Sequence, residues 1–433
     1  MTQKKNGNVL AIVTMMFIYA MISFVTNLAA PTSNIWKAQD FINGSNMLGM
    51  LGNMMNFLAY LFMGIPAGQM LSRIGYKRTA LVGIGVGFFG MLVQYLSGYA
   101  DGMAGFVVYL LGALISGFCV CMLNTVVNPM LNLLGGGGNR GNQLNMLGGT
   151  LNSLAGTLTP MLVGALVGQV TKETSIGDIA PVMFIAMGVF AAAFVVLSFL
   201  PIRNPEQGNS DANTVFEHSV WNFRHFTLGT VGIFLYVGIE IGIPGTLNNY
   251  LADTSDAGAG LVADAARIGG FVAGTYWFLM LVGRLLSVTI AGVVSSRVLM
   301  SIASSAAAIL MLCAMVVGKE VTTSMPVFAD GGFNMVTVPL SALLLVLCGL
   351  FTSVMWTSIF NLATEGLGKY TAKASGLFMM MVVGGGVLPL IQNGIADSVG
   401  YIVSYIVPIV AVLYLLWYSL VGSKNVNTDI KID

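Results

Sequence analysis

Long apolar stretches recur twelve times along this 433-residue chain, separated by short polar segments. A helix needs about 20 mostly apolar residues to cross a bilayer, and each stretch has about that length. The chain is 56% hydrophobic and 8% charged, whereas a soluble domain carries about 25% charged residues. So few charges cannot cover a globular surface. The sequence therefore predicts an all-α membrane protein with twelve transmembrane helices.

The predicted spans divide into two groups of six. The polar segment 203–225, which includes Pro205 and Glu206, is typical of a flexible linker. We therefore expect an N-terminal six-helix bundle over residues 1–202 and a C-terminal six-helix bundle over residues 226–433. The predicted spans 1 to 12 are 9–31, 46–71, 79–99, 103–133, 144–169, 180–200, 226–250, 267–293, 297–317, 338–362, 374–396 and 402–421.

The basic residues between spans predict the orientation of the chain. Most of them fall on the face that carries both termini, whereas the opposite loops hold only Lys37, Lys172, Arg267 and Lys319. Cytoplasmic loops carry an excess of Lys and Arg. We therefore expect a multi-pass protein of the cell (inner) membrane with both termini in the cytoplasm. The net charge of only +1 gives no reason to expect a nucleic-acid partner.

The two groups of spans repeat each other's motifs at equivalent positions. The matching sets are Asn27 and Pro31 with Glu240 and Pro244, Met122, Thr125 and Asn128 with Met355, Ser358 and Asn361, and Gly156 and Pro160 with Gly385 and Pro389. Three such matches suggest a duplicated six-helix unit. Transporters commonly place the solute site between two repeats, near the middle of the bilayer.

A basic, glycine-containing motif joins spans 2 and 3. It is close to the major facilitator signature Gly-x-x-x-Asp-Arg-x-Gly-Arg-Arg, with Ser72 in place of the Asp. The alternative is an ordinary basic loop on the cytoplasmic side. The residues assigned to a conformational motif are Gly68, Arg73, Gly75, Lys77, Arg78 and, in span 8, Arg284.

Further motifs resemble the fucose–galactose–glucose permease family of the major facilitators, which includes fucose:proton symporters. They are Pro66–Gly68, Arg73–Arg78, Tyr236–Glu240, Tyr276 with Trp277, Gly283 with Arg284, and Gly384–Gln392. The resemblance covers nearly the whole chain. It implies the major facilitator fold of two six-helix bundles and the uptake of a sugar, usually driven by protons.

Two positions depart from the family pattern. The family has an Asp in helix 1, where this chain has Asn27, and a Glu in helix 4, where this chain has Asn124. An amide can donate and accept hydrogen bonds with a sugar hydroxyl, but it cannot take up and release a proton. The departures therefore leave open a sodium-coupled carrier or a facilitative uniporter, including one for another neutral polar solute.

Glu240 is an acid deep inside a predicted span, about 21 Å along span 7. A charge at the bilayer centre costs on the order of 2.5–3.5 kcal/mol on insertion scales, so such residues are usually functional. We expect Glu240 to carry the coupling proton. The alternative is a structural pair with a buried donor. Arg284 is not the expected partner, because span 8 places it nearer the face of the termini.

Amide and aromatic side chains recur within the spans and suit a hexose. Amides bond to hydroxyls, and rings cover the apolar face of a sugar. Each could instead form a hydrogen bond between helices. Asn124 and Asn128 are expected to point into the cavity, because Pro129 frees backbone carbonyls beside them. The predicted substrate-binding residues are Asn27, Asn124, Asn128, Asn152, Glu240, Asn248, Trp277, Trp356, Asn361, Gln392 and Asn393.

Other classes of function fit the sequence less well. An enzyme needs a catalytic cluster, but both histidines, His218 and His225, lie in the polar segment between the bundles. The glycine run 135–138 lacks the Lys-Ser/Thr of a phosphate-binding loop. A sugar sensor would need a signalling domain. We therefore expect a monomeric carrier in lipid, without a cofactor or metal, whose partners are a sugar and a proton or sodium ion.

Overall fold

The computed structural model describes residues 2–134, 138–199, 218–290, 294–329, 331–367 and 370–427. Within these residues, twelve helices are long and apolar enough to cross a membrane, which confirms the predicted number. Labelled α1 to α12, they are Val9–Lys37, Leu51–Leu71, Arg73–Tyr99, Gly102–Leu131, Leu147–Val167, Ile176–Phe199, Arg224–Ala252, Ala265–Ser287, Ser296–Val316, Leu340–Thr364, Leu377–Val399 and Val403–Gly422.

Most of the predicted linker, 203–217, lies outside the described residues, as do residues 200–202 and 135–137. The division at 203–225 therefore stays a prediction. We call α1–α6 the N half and α7–α12 the C half. Because the chain crosses twelve times, both ends lie at one face, called here the terminal face, and the other is called the opposite face.

Several spanning helices run through a proline. The helix that contains α1 extends from Thr2 to Lys37 and includes Pro31, where the sequence analysis ended the span. It continues because packed neighbours and Ser or Thr side chains can satisfy the carbonyls that a proline frees. Thr32 and Ser33 both donate to backbone carbonyls of the preceding turn. The additional turns bring the end of α1 to the opposite face.

The basic motif between spans forms a turn between α2 and α3. Gly75 has φ of +81°, a conformation that favours glycine. Lys77 donates from Nζ to the carbonyl oxygen of Ser198 at 2.8 Å, whereas Arg73 and Arg78 are exposed. The motif therefore orients two consecutive spans and anchors them to the end of α6.

A β-hairpin follows α9, although the sequence predicts an all-α protein. Strands β1 (Thr322–Ala329) and β2 (Gly332–Pro339) pair antiparallel, with Phe328 opposite Phe333. The segment is rich in Val, Thr and Phe, which favour strands, and it lies between two spans, where open sheet edges can be solvated. The hairpin adds a small sheet to a helical membrane protein.

Among the described residues, the two halves meet where α1 packs against α7, α2 against α11 and α5 against α8. Glycines allow the backbones of α5 and α8 to touch. A Cβ built on Gly270 would lie 2.3 Å from the carbonyl oxygen of Pro160, and one on Gly274 would lie 2.8 Å from that of Thr157. Small residues permit such close approach in membranes.

Candidate functional site

The two charged side chains Glu240 and Arg284 meet between α7 and α8. Arg284 Nη2 lies 3.3 Å from Glu240 Oε1, and the side chains are 20% and 13% exposed. The expectation that Arg284 would not be the partner of Glu240 is wrong. The backbone of Arg284 does lie toward the terminal face, but its long side chain reaches back into the membrane. An unpaired buried carboxylate would be costly.

Arg284 also contacts the N half. Its Nη1 donates to the carbonyl oxygen of Gly149 at 2.8 Å and to Oγ of Ser153 at 2.9 Å, both in α5. One guanidinium therefore binds an acid of the C half and two oxygens of the N half. The forked geometry of arginine, with five N–H donors, allows this sharing.

Aromatic side chains surround the ion pair. Tyr19 from α1, Tyr236 from α7 and Tyr276 from α8 are all close enough to interact electrostatically with both charges. The ring of Trp277 packs edge-on against Tyr276, with 5.6 Å between ring centroids. Trp356 packs against Tyr236 at 6.1 Å. The two tryptophans predicted as substrate contacts thus belong to the aromatic wall of this centre.

Asn27 occupies the position in the N half that corresponds to Glu240. Its Nδ2 donates to the backbone oxygen of Ser23 at 2.9 Å and to Ser23 Oγ at 3.1 Å. A Cβ built on Gly156 of α5 would lie 3.2 Å from Asn27 Nδ2 and 3.1 Å from Trp277 Cδ2. The structure therefore brings Asn27 and Trp277 together across a glycine.

The other predicted amides of the N half are half-buried, and each donates a hydrogen bond within that half. Asn124 donates to Oη of Tyr60 at 2.5 Å, and Asn128 donates to the backbone oxygen of Asn124 at 3.2 Å. Asn152 donates to the backbone oxygen of Tyr19 at 3.0 Å. Because Tyr19 interacts with both charges, Asn152 is linked to the ion pair through α1.

The predicted residues of the C half are more scattered. Gln392 is buried, and its Nε2 lacks a hydrogen-bond partner among the described residues. Its Oε1 lies 2.6 Å from where a Cβ on Gly242 would be, so it packs against α7. Asn361 is exposed, and its Nδ2 donates to Ser296 Oγ at 3.4 Å. The structure does not bring Asn361 to the centre.

Asn248 and Asn393 join helices near the opposite face. Asn34 of α1 donates to Asn248 Oδ1 at 2.6 Å. Ser33 donates to Asn249 Oδ1 at 3.1 Å, and Asn249 donates in turn to Asn393 Oδ1 at 3.1 Å. Asn248 and Asn249 therefore join α7 to α1 of the other half, whereas the bond to Asn393 lies within the C half.

An ion pair at the opposite face completes this contact. Lys37 Nζ lies 2.7 Å from Asp253 Oδ2. The Tyr401 hydroxyl, which has one hydrogen to donate, lies 2.7 Å from the same carboxylate oxygen and 2.8 Å from Asn46 Oδ1. Burial opposes the charge of Asp253, but the Lys37 ammonium and hydrogen bonds from Lys37, Ser255 and Tyr401 outweigh it and lower the pKa of Asp253 to about 2.

Asp397, just before the end of α11, adds a further contact between the halves. It accepts from Ser45 Oγ at 2.7 Å and from the backbone N–H groups of Asn46 and Met47 at 2.7 and 3.0 Å. A carboxylate at the N-terminus of a helical turn is favourable. We call the contacts of Ser33, Asn34, Lys37, Ser45, Asn46 and Met47 with Asn248, Asn249, Asp253, Asp397 and Tyr401 the opposite-face seal.

Several residues of the centre and of the opposite-face seal were not predicted from the sequence. Tyr19, Ser23 and Asn27 are four residues apart and share one face of α1, a spacing that could have indicated Tyr19. Lys37 and Asp253 are opposite charges at the ends of the repeat-related helices α1 and α7, which could have indicated their pairing. Nothing in the local sequence points to Ser153.

The family model of the Major Facilitator Superfamily matches residues 13–389 of the chain. The chain is 28% identical to a glucose/galactose transporter of Brucella abortus over 436 residues, covering 98% of this chain and 96% of the relative. It is 22% identical over 371 residues to the L-fucose-proton symporter of Escherichia coli, covering 80% of this chain and 78% of the relative.

The fold is similar to that of a solved structure. The crystal structure of the major facilitator FucP in the outward conformation matches with a TM-score of 0.65 and 15% sequence identity, covering 97% of this chain and all of that one. At this identity the similarity supports the fold alone.

Proposed function

Because this chain belongs to the Major Facilitator Superfamily, we propose that it takes up a sugar of the glucose, galactose or fucose type by alternating access. The observation that carries the proposal is the buried Glu240–Arg284 pair, which lies between the halves among amide and aromatic side chains. The relatives named for glucose/galactose and fucose transport support the solute class.

The centre offers groups that suit a neutral polyol. Asn27 and Trp277 converge at Gly156, where an amide could bond hydroxyls and a ring could cover the apolar face of a sugar. Asn124 and Asn128 provide further amides on α4, half-buried rather than fully enclosed. We assign these four residues to solute binding. Asn248 fits the opposite-face seal better, because it bonds to Asn34 of the other half, and Asn393 bonds to Asn249 of that seal from within the C half.

Glu240 is the group that we assign to the coupling proton. It has a positive partner that can stabilise its ionised form, and it lies between the two halves. The E. coli relative named as a proton symporter supports coupling to protons. A facilitative uniporter is the second candidate, because Asn27 and Asn124 cannot carry a proton.

We also propose that the structure is sealed toward the outside of the cell. With both termini in the cytoplasm, the opposite-face seal lies on the external side, and its ion pair and amide contacts close that side between α1 and α7. Alternating access then requires these contacts to separate when the carrier opens outward. The outward conformation of FucP is the expected counterpart.

Transport in proteoliposomes tests the function. Radiolabelled glucose, galactose and fucose are offered with and without an inward proton gradient, to the wild type, Glu240→Gln and the control Glu365→Gln, which makes the same change at an exposed acid. The wild type and the control should accumulate at least one sugar, whereas Glu240→Gln should exchange but not accumulate it. Accumulation that persists in Glu240→Gln, or that sodium alone drives, contradicts the proton assignment.

Orientation and oligomeric state have their own test. Ser255→Cys and Ser219→Cys place thiols at exposed positions on opposite faces. A membrane-impermeant thiol reagent added to intact cells should label Ser255→Cys and spare Ser219→Cys, with the wild type as background. The reverse labelling contradicts cytoplasmic termini. Light scattering of the detergent-solubilised protein should give the mass of a monomer.

A further inference from the structure

The side chain of Arg284, in the C half, contacts the N half at the level of Glu240. Its Nη2 faces Glu240, while its Nη1 binds Gly149 and Ser153 of α5. The two nitrogens belong to one rigid planar group. If the bond to Glu240 changes and the guanidinium moves, its bonds to Gly149 and Ser153 must therefore change as well.

The contact between α5 and α8 changes in character along its length. Toward the opposite face the backbones touch, since a Cβ on Gly164 would lie 2.7 Å from the carbonyl oxygen of Ala266 and one on Gly270 would lie 2.3 Å from that of Pro160. At Gly149 a Cβ would lie 3.6 Å from Arg284 Nη1. There the helices are joined by one long side chain rather than by their backbones.

The position of this side chain depends on the charge of Glu240. Arginine stays charged in proteins. While Glu240 is ionised, the pair is neutral overall and the guanidinium can remain buried against α5. When Glu240 is protonated, the guanidinium keeps only neutral acceptors, and a buried charge without its counter-ion is strongly unfavourable. Movement toward water at the terminal face would relieve this cost and would break the bonds to α5.

We propose that Arg284 is a positioning residue that transmits the charge state of Glu240 to α5, so that protonation of Glu240 releases the contact between the halves at the terminal face. This inference rests on the proposed role of Glu240 as the proton-bearing group. In this proposal, the bonds of Arg284 to Gly149 and Ser153 belong to the state in which Glu240 is ionised.

The other titratable groups that face the pair are tyrosines. Among the described residues they are Tyr19 of α1, Tyr236 of α7 and Tyr276 of α8, while α5 presents the hydroxyl of Ser153 and the carbonyl oxygen of Gly149. A phenol ordinarily titrates near pH 10. We therefore assign to Glu240 any response of this contact that is measured between about pH 5 and about pH 8, below the ordinary range of phenols.

A distance measurement tests the proposal. Spin labels at Leu147→Cys in α5 and Leu286→Cys in α8 lie close to the contact, and both positions are exposed. The exposed Cys313 is replaced by Ser to prevent its labelling. Distances between the labels are measured at both ends of this pH range in the otherwise wild-type protein and with Glu240→Gln, Arg284→Lys or Ser153→Ala added.

The distance distribution should shift as the pH falls, and Glu240→Gln should show the low-pH distribution at both pH values. Arg284→Lys keeps the charge but loses the fork, so its pH shift should vanish and its uptake should fall about tenfold or more. Ser153→Ala should keep the shift at reduced amplitude, because Gly149 still accepts. A pH shift that persists in Arg284→Lys overturns the proposal.

Uptake assays on the same variants separate this inference from the proposed function. If Glu240→Gln still accumulates sugar, the coupling role of Glu240 fails, whatever the labels report. Suppose instead that Glu240→Gln loses accumulation, but that the distance between α5 and α8 changes neither with pH nor in Arg284→Lys. The coupling role of Glu240 then stands, and the positioning role of Arg284 is rejected.

Discussion

The repeat-related helices α1 and α7 carry different chemistry at the same position. Asn27 of α1 hydrogen-bonds to Ser23 one turn earlier in its own helix. Glu240 of α7 pairs with Arg284 on another helix, and Arg284 extends the contact to α5 of the other half. The difference teaches that the central charge of the site lies on side chains of the C half. The N half contributes amides.

The largest expected effect comes from replacing Glu240 with alanine, compared with the same change at Asn27. Glu240→Ala leaves Arg284 buried without its counter-ion, which should cost about 3–5 kcal/mol of stability. Asn27→Ala loses local hydrogen bonds worth about 0.5–1.5 kcal/mol each. Thermal unfolding in detergent should therefore show a much larger drop for Glu240→Ala. The double variant Glu240→Ala/Arg284→Ala should recover part of the lost stability. Equal melting temperatures of Glu240→Ala and Asn27→Ala would contradict the proposed difference between the two positions.

A smaller effect is expected at the ends of α1 and α7, where Lys37 and Asp253 form an ion pair between the halves. Lys37→Ala leaves Asp253 without its ammonium partner and should weaken the opposite-face seal by about 2 kcal/mol, or about thirtyfold in the equilibrium between sealed and open states. Spin labels at the exposed positions Met103→Cys and Thr254→Cys, in the N and C halves respectively, should report longer distances.

The matched control for the seal is Lys172→Ala. Lys172 also pairs with an aspartate, Asp40, but both side chains are exposed, and exposed pairs contribute little. Distances across the opposite face should be unchanged in this variant. Equal distance changes in Lys37→Ala and Lys172→Ala would show that the buried pair has no special part in closing this face.

The smallest effect concerns pH. The pKa of Asp253 lies at about 2 in the sealed state, against 3.8 ordinarily. A lowered pKa means that the ionised carboxylate stabilises the seal above about pH 4, and that this contribution is lost as the pH falls toward about 2. Asp253→Asn should therefore lower the uptake rate without altering the shape of its pH dependence between about pH 5 and about pH 8. A changed shape of the pH profile in Asp253→Asn would show that a group of the seal titrates in this range.

The spans were predictable from the sequence because lipid imposes a simple rule on length and polarity. All twelve were found, and the repeated motifs predict that α1 and α7 are related helices. The additional turns of α1 beyond Pro31 were missed, because a proline ends a helix in water more readily than in a packed bundle. The hairpin of β1 and β2 was missed because short strands between spans leave no long apolar stretch in the sequence.

The site was predictable only in part. Glu240 was identified from its burial in an apolar stretch, but its partner was not, because the reach of an arginine side chain across two helices does not follow from position along a span. Asn248 and Asn393 were predicted as ligands, and the structure bonds Asn248 to Asn34 in the seal and Asn393 to Asn249 within the C half. Which polar residues face a cavity depends on the packing of distant helices.

The most direct test of the central assignment is the proton movement that accompanies sugar entry. Proteoliposomes in weak buffer are mixed with the sugar that the wild type exchanges, and the external pH is followed with an indicator dye. The account predicts that the wild type makes the medium more alkaline as sugar enters, and that Glu240→Gln exchanges sugar without any change of pH. Equal alkalinisation by Glu240→Gln and the wild type would contradict the assignment of the coupling proton to Glu240.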